Sequence, residues 1–303
     1  MQSRRVSEIH DVAAPPRSRH LTRRRFLRRL AGGLAGGSVL AGLYAHFIEL
    51  HWLDWVHRDL PIADLPDALA GKTLVQLSDL HIEPRVDANY IRETFLRVAA
   101  LAPDFVVVTG DWISHRGPDP FGRLDRALVD LPRGILGTVG ILGNHDYGAR
   151  WSMVHVADRV SAVAARHGVR MLRNESATIG GLPFVGLDDY WSPHFVTDNI
   201  CRRYGATSSS VVLCHNPDAV DESGMWDGFS GWTLAGHTHG GQCKPPFLPP
   251  PLLPVRNRRY TSGEFELGGG RRLYINRGVG HLLAVRFNAR PEVTIFRLSR
   301  AAA

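Results

Sequence analysis

Two histidines, His237 and His239, form the pattern with the clearest chemical meaning in this sequence. They follow the apolar run 231–235, which carries the β-branched and aromatic residues typical of a buried strand. In extended backbone, residues two apart face the same side, so both rings can enter one site while Thr238 points away. The spacing therefore favours a pair of metal ligands, although His-x-His alone is equally compatible with a surface loop.

Four other apolar runs also end in polar residues of the kind that bind metals. These runs are 74–77, 105–108, 138–142 and 211–213. Active sites of layered α/β folds gather at the carboxyl ends of strands, so the ends of these runs can converge. Together with the histidine pair they supply seven donors: Asp79, His81, Asp111, Asn144, His215, His237 and His239.

This mixture of carboxylate, amide and imidazole donors suits Mn, Fe or Zn better than Ca or Mg. Seven donors are too many for one such ion, but two ions that share a bridging carboxylate would each receive about four protein ligands. Two metals ~3.5 to 4 Å apart can clamp the attacking and leaving oxygens of a phosphoryl displacement. The donor set therefore predicts a dinuclear centre for phosphoester chemistry.

Helical patterns separate these strands and indicate an α/β fold. They cover residues 89–101, 124–131 and 154–167, and strands that alternate with helices predict α/β layers. After Arg170 the pattern shortens to hairpin-like strands around Gly180-Gly181 and Asp188-Asp189, which predicts a second sheet. Residues 272–275 and 292–298 are expected to close that second sheet.

The charge of the chain is concentrated at its beginning. The 303 residues carry a formal net charge of +7, and residues 1–30 contain nine arginines against two acidic residues. The rest is neutral, so a nucleic-acid footprint on the folded body is not supported. Three cysteines are too few for a disulfide framework.

The paired arginines of residues 22–28 precede the apolar, glycine-rich stretch 30–47. A charged segment before a modest apolar segment is typical of an export signal, and paired arginines before Phe-Leu resemble a twin-arginine signal. The alternative is an ordinary amphipathic helix, which four glycines disfavour. The segment is either cleaved or kept as a membrane anchor. We expect residues 1–50 to hold a disordered basic region and this signal or anchor, 51–70 to be a connector, and 71–303 to be the catalytic domain.

The order of the motifs carries a family resemblance. Asp-x-His, Gly-Asp, Gly-Asn-His-Asp, a lone His and Gly-His-x-His follow one another between residues 73 and 298. This set resembles the calcineurin-like metallophosphoesterase superfamily, and the flanks at 214–218, 276–280 and 285–288 resemble its twin-arginine-exported bacterial phosphodiesterase branch. The resemblance implies a four-layer α/β/β/α sandwich.

The resemblance also implies roles for the donors. One metal would be held by Asp79, His81, Asp111 and His239, and the other by Asp111, Asn144, His215 and His237. Asp111 would bridge the ions, which activate the attacking water between them. His145 would contact the phosphoryl oxygen or protonate the leaving group.

One position departs from the family pattern. Many relatives place an acidic residue three positions after the bridging aspartate to orient the catalytic histidine, whereas this chain has Ser114 there. A serine cannot lend a full negative charge to an imidazolium. Either Asp146 takes over that task, or His145 acts mainly as a neutral donor.

Several other groups leave two interpretations open. His115, His194 and His281 either border the site or lie in solvated loops, and Arg277 is either a phosphate clamp or part of a structural ion pair. The proline-rich loop 243–256 follows the histidine pair and is expected to overhang the site. Its apolar side chains either pack on the body as a rigid cover or form an exposed patch for a membrane or partner: Phe247, Leu248, Leu252, Leu253 and Val255.

These patterns predict an exported, membrane-associated, dinuclear phosphoester hydrolase at the outer face of the inner membrane. Its expected partners are the twin-arginine export machinery, the membrane through the N-terminal segment, and a phosphoester or pyrophosphate substrate carried by a lipid. The alternatives are a noncatalytic envelope-binding protein that keeps the fold, or a nuclease or nucleotide phosphodiesterase. The neutral body disfavours a nuclease, because phosphate-backbone binding depends on clustered Lys and Arg.

Overall fold

The computed structural model describes residues 22–301. The basic segment 1–20, which the sequence predicts to be disordered, lies outside these residues. The first described element is an apolar helix, Arg23–Leu43, which continues into helical turns at Tyr44–Ile48 and Glu49–His51. By length and composition alone, Arg23–His51 is a candidate membrane span. Within the described residues, 22–42 belong to one unit and 43–301 to a second.

The described chain contains five α-helices and twelve β-strands, if short 3₁₀ and π turns are left aside. In order they are α1 (Arg23–Leu43), β1 (Asp54–Ile62), β2 (Thr73–Leu77), α2 (Ala88–Ala99), β3 (Phe105–Thr109), α3 (Pro120–Ala127), β4 (Gly137–Ile141), α4 (Val154–Arg166), β5 (Arg170–Met171), β6 (Glu175–Ile179), β7 (Leu182–Gly186), α5 (Ile200–Tyr204), β8 (Val211–Leu213), β9 (Trp232–Ala235), β10 (Gly263–Gly268), β11 (Arg271–Ile275) and β12 (Glu292–Arg300).

These strands form two six-stranded mixed sheets. The first has the order β1-β12-β2-β3-β4-β5, and the second has the order β10-β11-β9-β8-β7-β6. Strands β2 to β5 run parallel, as do β7, β8, β9 and β11. Parallel strands end at the same edge of a sheet, which brings the predicted donor residues of each sheet to one edge.

Three clusters of buried apolar residues pack the layers together. One lies between the sheets and includes Phe105 and Phe184. A second joins the first sheet to the helices on its outer face and includes Phe95, and a third covers the second sheet and includes Trp226. The predicted four-layer α/β/β/α sandwich is confirmed.

Two strands differ from the sequence-based prediction. Residues 292–298 are a strand as expected, but their placement in the second sheet is wrong, because β12 lies between β1 and β2 in the first sheet. Most of β12 is buried on both faces, a pattern that fits a central position in either sheet. Residues 54–62, within the expected connector 51–70, form the edge strand β1, which pairs in parallel with β12. The chain around Asp188-Asp189 is not a hairpin, because β7 and β8 are parallel.

Candidate metal centre

The predicted donors lie just after strand ends, on backbone that departs from ordinary conformations. Five of the seven have left-handed φ angles, which are uncommon for residues other than glycine. Such backbone is retained where the surrounding structure enforces it, and it concentrates at functional sites. The five residues are Asp79 (φ 50°), His81 (φ 46°), Asp111 (φ 54°), His237 (φ 72°) and His239 (φ 49°).

The first cluster consists of Asp79, His81 and His239, all buried. The Nε2 atoms of His81 and His239 are 3.0 Å apart, and Nε2 of His239 is 3.4 Å from Oδ1 of Asp79. These ligand atoms lie within 4.8 Å of one another. Their separation is therefore suited to coordinating a single ion.

The second cluster consists of Asp111, His215 and His237, also buried. Nε2 of His215 is 3.2 Å from both Nδ1 of His237 and Oδ2 of Asp111. The same Asp111 oxygen is 3.5 Å from Nε2 of His81, which belongs to the first cluster. The carboxylate of Asp111 thus lies between the two clusters, where a bridging ligand is needed.

The side-chain oxygen of Asn144 is a hydrogen-bond acceptor to which no group in the described residues donates. This Oδ1 atom is buried. A buried polar atom that lacks a partner is costly unless an ion or water satisfies it. The neighbouring backbone N–H of His145 donates to Oδ1 of Asp111 at 2.9 Å, which ties this turn to the carboxylate between the clusters.

The protonation of three of the four histidines in the clusters fits cation binding. Burial lowers the pKa of His81 and His239 well below the usual value and that of His237 to about 3. These neutral imidazoles present lone pairs, the form in which histidine binds metal. Burial raises the pKa of Asp79 to about 6, because the buried carboxylate lacks enough compensating positive charge. The two clusters therefore fit two divalent metal ions, which would accept the lone pairs and balance the carboxylates.

Hydrogen bonds from outside the clusters fix which ring nitrogen faces the site. Nδ1 of His81 lies 3.0 Å from Oγ of Ser114, and Nδ1 of His215 lies 2.7 Å from the carbonyl oxygen of Thr109. His237 has the opposite orientation, since its Nε2 donates to the carbonyl of Pro254 at 2.8 Å and its Nδ1 faces His215. Such partners orient metal ligands. Sequence reasoning missed the two backbone carbonyls, which carry no side-chain signal, and it considered Ser114 only in relation to His145.

The contacts of Asp146 bear on the question raised at Ser114. The carboxylate of Asp146 accepts hydrogen bonds from the backbone N–H groups of Ile113 and Gly143, at 3.1 and 2.9 Å. Asp146 is therefore used to hold two loops together, not to orient His145. Burial lowers the pKa of His145, which favours the alternative in which this residue acts as a neutral donor.

A buried arginine, Arg286, holds the loop behind the first cluster. Its guanidinium donates to the carbonyls of Gly278, Gly280 and Ala289 at 3.1, 2.6 and 2.9 Å. The loop in turn packs against Asp79: a Cβ on Gly278, where φ is 74°, would lie 2.6 Å from the Asp79 Cβ. Desolvation lowers the pKa of Arg286 to about 10, so the side chain stays charged at neutral pH. The sequence marked Arg286 only through its resemblance to the bacterial branch.

The open alternatives for other residues are decided by their contacts. Arg277 pairs with Asp54 at 2.8 Å and with Glu292, so the structural ion pair describes it better than a phosphate clamp. His194 is exposed and His281 is buried, and neither lines the cavity above the clusters. His115 is partly buried and also lies outside that lining.

The cavity above the clusters has a volume of about 660 Å³ and two kinds of lining residue. The polar ones include Asp111, Asn144 and His145. Trp191 stacks on Trp151 with ring centroids 4.5 Å apart, and it meets His237 edge-on at 4.6 Å. The lining also includes six apolar residues: Pro251, Leu252, Leu253, Pro254, Leu282 and Leu283.

The proline-rich loop combines the two interpretations left open by the sequence. Leu253 and Val255 are partly buried, as expected for a cover over the site. Phe247, Leu248 and Leu252 are exposed instead. The loop is therefore a wall of the cavity on one side and an exposed apolar surface on the other.

Known proteins are similar to this chain over most of its length. The family model for calcineurin-like phosphoesterase matches residues 72–241. The chain is 30% identical to the uncharacterized metallophosphoesterase YkuE of Bacillus subtilis, over 92% of this chain and 98% of that protein. It is 30% identical to phosphodiesterase YaeI of Escherichia coli, over 92% and 99% of the two chains. It is also 27% identical to UDP-2,3-diacylglucosamine pyrophosphatase LpxG of Chlamydia trachomatis, over 86% and 93%.

These matches agree with the resemblance that the ordered motifs carry. The matched segment 72–241 covers more than half of the chain and contains all seven predicted donors. The relatives named as phosphodiesterase and pyrophosphatase extend the similarity over most of the remaining residues. The protein is a phosphoric ester hydrolase, and the chain belongs to the calcineurin-like phosphoesterase family.

Proposed function

We propose that this chain is a dinuclear phosphodiesterase or pyrophosphatase in which Asp111 bridges the two ions. The observation that carries the proposal is the position of the Asp111 carboxylate, with one oxygen within 3.5 Å of imidazole nitrogens from both buried clusters. In this assignment the two ions share Asp111. One ion is held by Asp79, His81, Asp111 and His239, and the other by Asp111, Asn144, His215 and His237.

The side chains around the ions would divide the remaining work. When bound, the ions supply an activated water and offset the charge that develops on the phosphoryl oxygens. His145 extends from the turn that is anchored on Asp111 and lines the cavity, where it would donate a hydrogen bond to a phosphoryl or leaving-group oxygen. Arg116 lines the same cavity and carries a charge that favours an anionic substrate.

A lipid-linked phosphoester is the substrate class that we propose. The cavity is lined by predicted metal ligands and by six proline and leucine residues, so it offers contacts for both a phosphate and an apolar chain. The relative LpxG is named as a pyrophosphatase of UDP-2,3-diacylglucosamine, which is a substrate with both parts. The apolar residues would hold the chains while the phosphate reaches the metals.

We also propose that the enzyme acts at the outer face of the inner membrane. Paired arginines precede an apolar helix that is long enough to span a bilayer, and the twin-arginine pathway would carry the folded domain across. The helix, if retained, would keep the domain beside its substrate at high effective concentration.

One experiment tests the activity and another tests the substrate class. Metal analysis with turnover of bis(4-nitrophenyl) phosphate should show metal-dependent hydrolysis, whereas a noncatalytic binding protein would bind metal without turnover.

The substrate class is tested by comparing a diacyl pyrophosphate substrate with a water-soluble analogue that has the same headgroup. Changing Leu252 and Leu253 to Ser should lower turnover of the lipid more than that of the analogue, and Val129→Ser, an exposed apolar control, should lower neither. Equal loss on both substrates would refute the lipid assignment.

A further inference from the structure

An exposed set of apolar side chains borders the mouth of the cavity. We define this apolar rim as six residues, each more than half exposed, which come from three separate segments of the chain. Isolated exposed apolar residues are common, but a contiguous group marks a surface that binds something. The rim consists of Phe47, Ile48, Phe247, Leu248, Leu252 and Leu283.

The three segments are joined side by side through hydrogen bonds. The N–H of Arg286 donates to the carbonyl of Ala45 at 3.0 Å, and the N–H of Lys244 donates to the carbonyl of Phe287 at 2.8 Å. The amide of Gln242 donates to the carbonyl of Leu283 at 2.7 Å. Segments 44–48, 242–248 and 283–287 therefore form one surface, and two rim residues, Leu252 and Leu283, also line the cavity.

The proline-rich part of the rim is held in place from below. Both carboxylate oxygens of Asp218 accept backbone N–H groups at the end of the loop, from Arg256 at 2.6 Å and Asn257 at 3.0 Å. The guanidinium of Arg258 donates to the carbonyl of Pro250 at 2.6 Å. Because the loop base is pinned and its prolines restrict the backbone, Phe247 and Leu248 are presented outward instead of collapsing onto the body.

Two features identify a bilayer as the occupant of this surface. Two rim residues, Phe47 and Ile48, belong to the last turns of the candidate span Arg23–His51, so the rim is continuous in sequence with that span. Residues 243–262 contain four basic residues and no acidic residue. Apolar side chains on a segment of net positive charge are suited to the interface of a membrane that contains anionic lipids.

We propose that the apolar rim inserts into the bilayer interface and places the mouth of the cavity against the membrane. A lipid could then move its chains along Leu252 and Leu283 into the cavity while its headgroup stays close to the metals. This inference deepens the proposed function, since it rests on the cavity being the catalytic site for a membrane-borne substrate. The rim itself would act as a docking surface, separate from the groups that carry out hydrolysis.

The test uses the full chain in vesicles of phosphatidylcholine and phosphatidylglycerol that contain a lipid with a photoactivatable diazirine in its acyl chain. After illumination, mass spectrometry should find labelled peptides from segment 243–256, which lies outside the candidate span. The control is the peptide that contains Val129 and Ile135. Both side chains are 70% exposed, but they precede β4 and therefore lie at the end of the sheet opposite to the one that carries the metal ligands. Rim peptides should be labelled at least about fivefold more than this control.

A variant separates docking from catalysis. Changing Phe47, Phe247 and Leu248 to Ser should reduce rim labelling several-fold and slow hydrolysis of a vesicle-borne substrate, while hydrolysis of bis(4-nitrophenyl) phosphate stays within about twofold of the parent. The matched variant with Val129 and Ile135 changed to Ser should alter none of these values. Rim labelling in the parent no higher than the control, or crosslinks between two copies in place of lipid labelling, would overturn the proposal. Labelling without any hydrolysis would refute the proposed function and leave the docking surface standing.

Discussion

Ser114 offers a selective way to perturb one of the two metal sites. Its hydroxyl lies 3.0 Å from Nδ1 of His81 and is part of a nearly fully buried residue. When Nε2 of His81 faces the ion, Nδ1 carries the proton and donates it to this hydroxyl. The substitution Ser114→Ala removes the acceptor, leaves a buried N–H without a partner and frees the ring to rotate.

The expected loss follows from the contacts of this one hydroxyl. A buried hydrogen bond of this kind contributes about 1 kcal/mol to folding, so Ser114→Ala should lower the free energy of unfolding of the metal-free protein by about that amount. Removing an outer partner of a metal-ligating histidine lowers metal affinity about 10- to 100-fold. Only the ion beside His81 loses an orienting contact, because His215 and His237 are oriented by the carbonyls of Thr109 and Pro254.

The assay is chelator competition on the full chain, which resolves two binding steps when the affinities differ. One step should weaken about 10- to 100-fold, and the other should change little. Ser210→Ala is the matched control: Oγ of Ser210 accepts the Thr207 N–H at 3.0 Å in a buried position just before β8, at the opposite end of the strand from His215. It should lose similar folding stability with both metal affinities intact. Equal weakening of both steps, or of neither, would refute this account of the site.

Three further predictions test other parts of the account. Asp111→Ala should abolish turnover and lower bound metal, because both ions lose a ligand. His145→Ala should lower turnover and leave the metal content unchanged. Equal metal loss in the two variants, measured by atomic emission, would mean that His145 is misassigned. Arg286→Met should lower the free energy of unfolding by at least about 3 kcal/mol in urea denaturation, since several buried carbonyls lose their donor; a loss below about 1 kcal/mol would contradict its structural role. Changing Arg23–Arg25 to lysines should keep the protein in the cytoplasm in cell fractionation, and continued export would show that the signal is misread.

The candidate site could be predicted from the sequence because its parts are local. Each donor follows an apolar run directly, and His237 and His239 need only two residues of spacing to share a site. The convergence of separate runs followed from a general property of α/β sheets. The structure brings six of these donors into two clusters, while their assignment to particular ions remains a prediction.

The features that could not be predicted depend on contacts between distant residues. Strand β12 has a pattern that fits a buried position in either sheet, and only its pairing with β1 and β2 distinguishes them. The carbonyl of Pro254 reaches His237 across 17 residues, and backbone groups leave no trace in residue type. Asp146 is adjacent to His145 in sequence, yet its carboxylate turns to the Ile113 and Gly143 amides.

The central claim is that two metal ions share the carboxylate of Asp111. The most direct test is anomalous scattering from crystals of the protein grown with Mn²⁺, which locates each ion independently of activity. We expect two peaks ~3.5 to 4 Å apart, one beside Asp79, His81 and His239 and the other beside Asn144, His215 and His237, with Asp111 in contact with both. A single peak, or two peaks without Asp111 between them, would contradict the account.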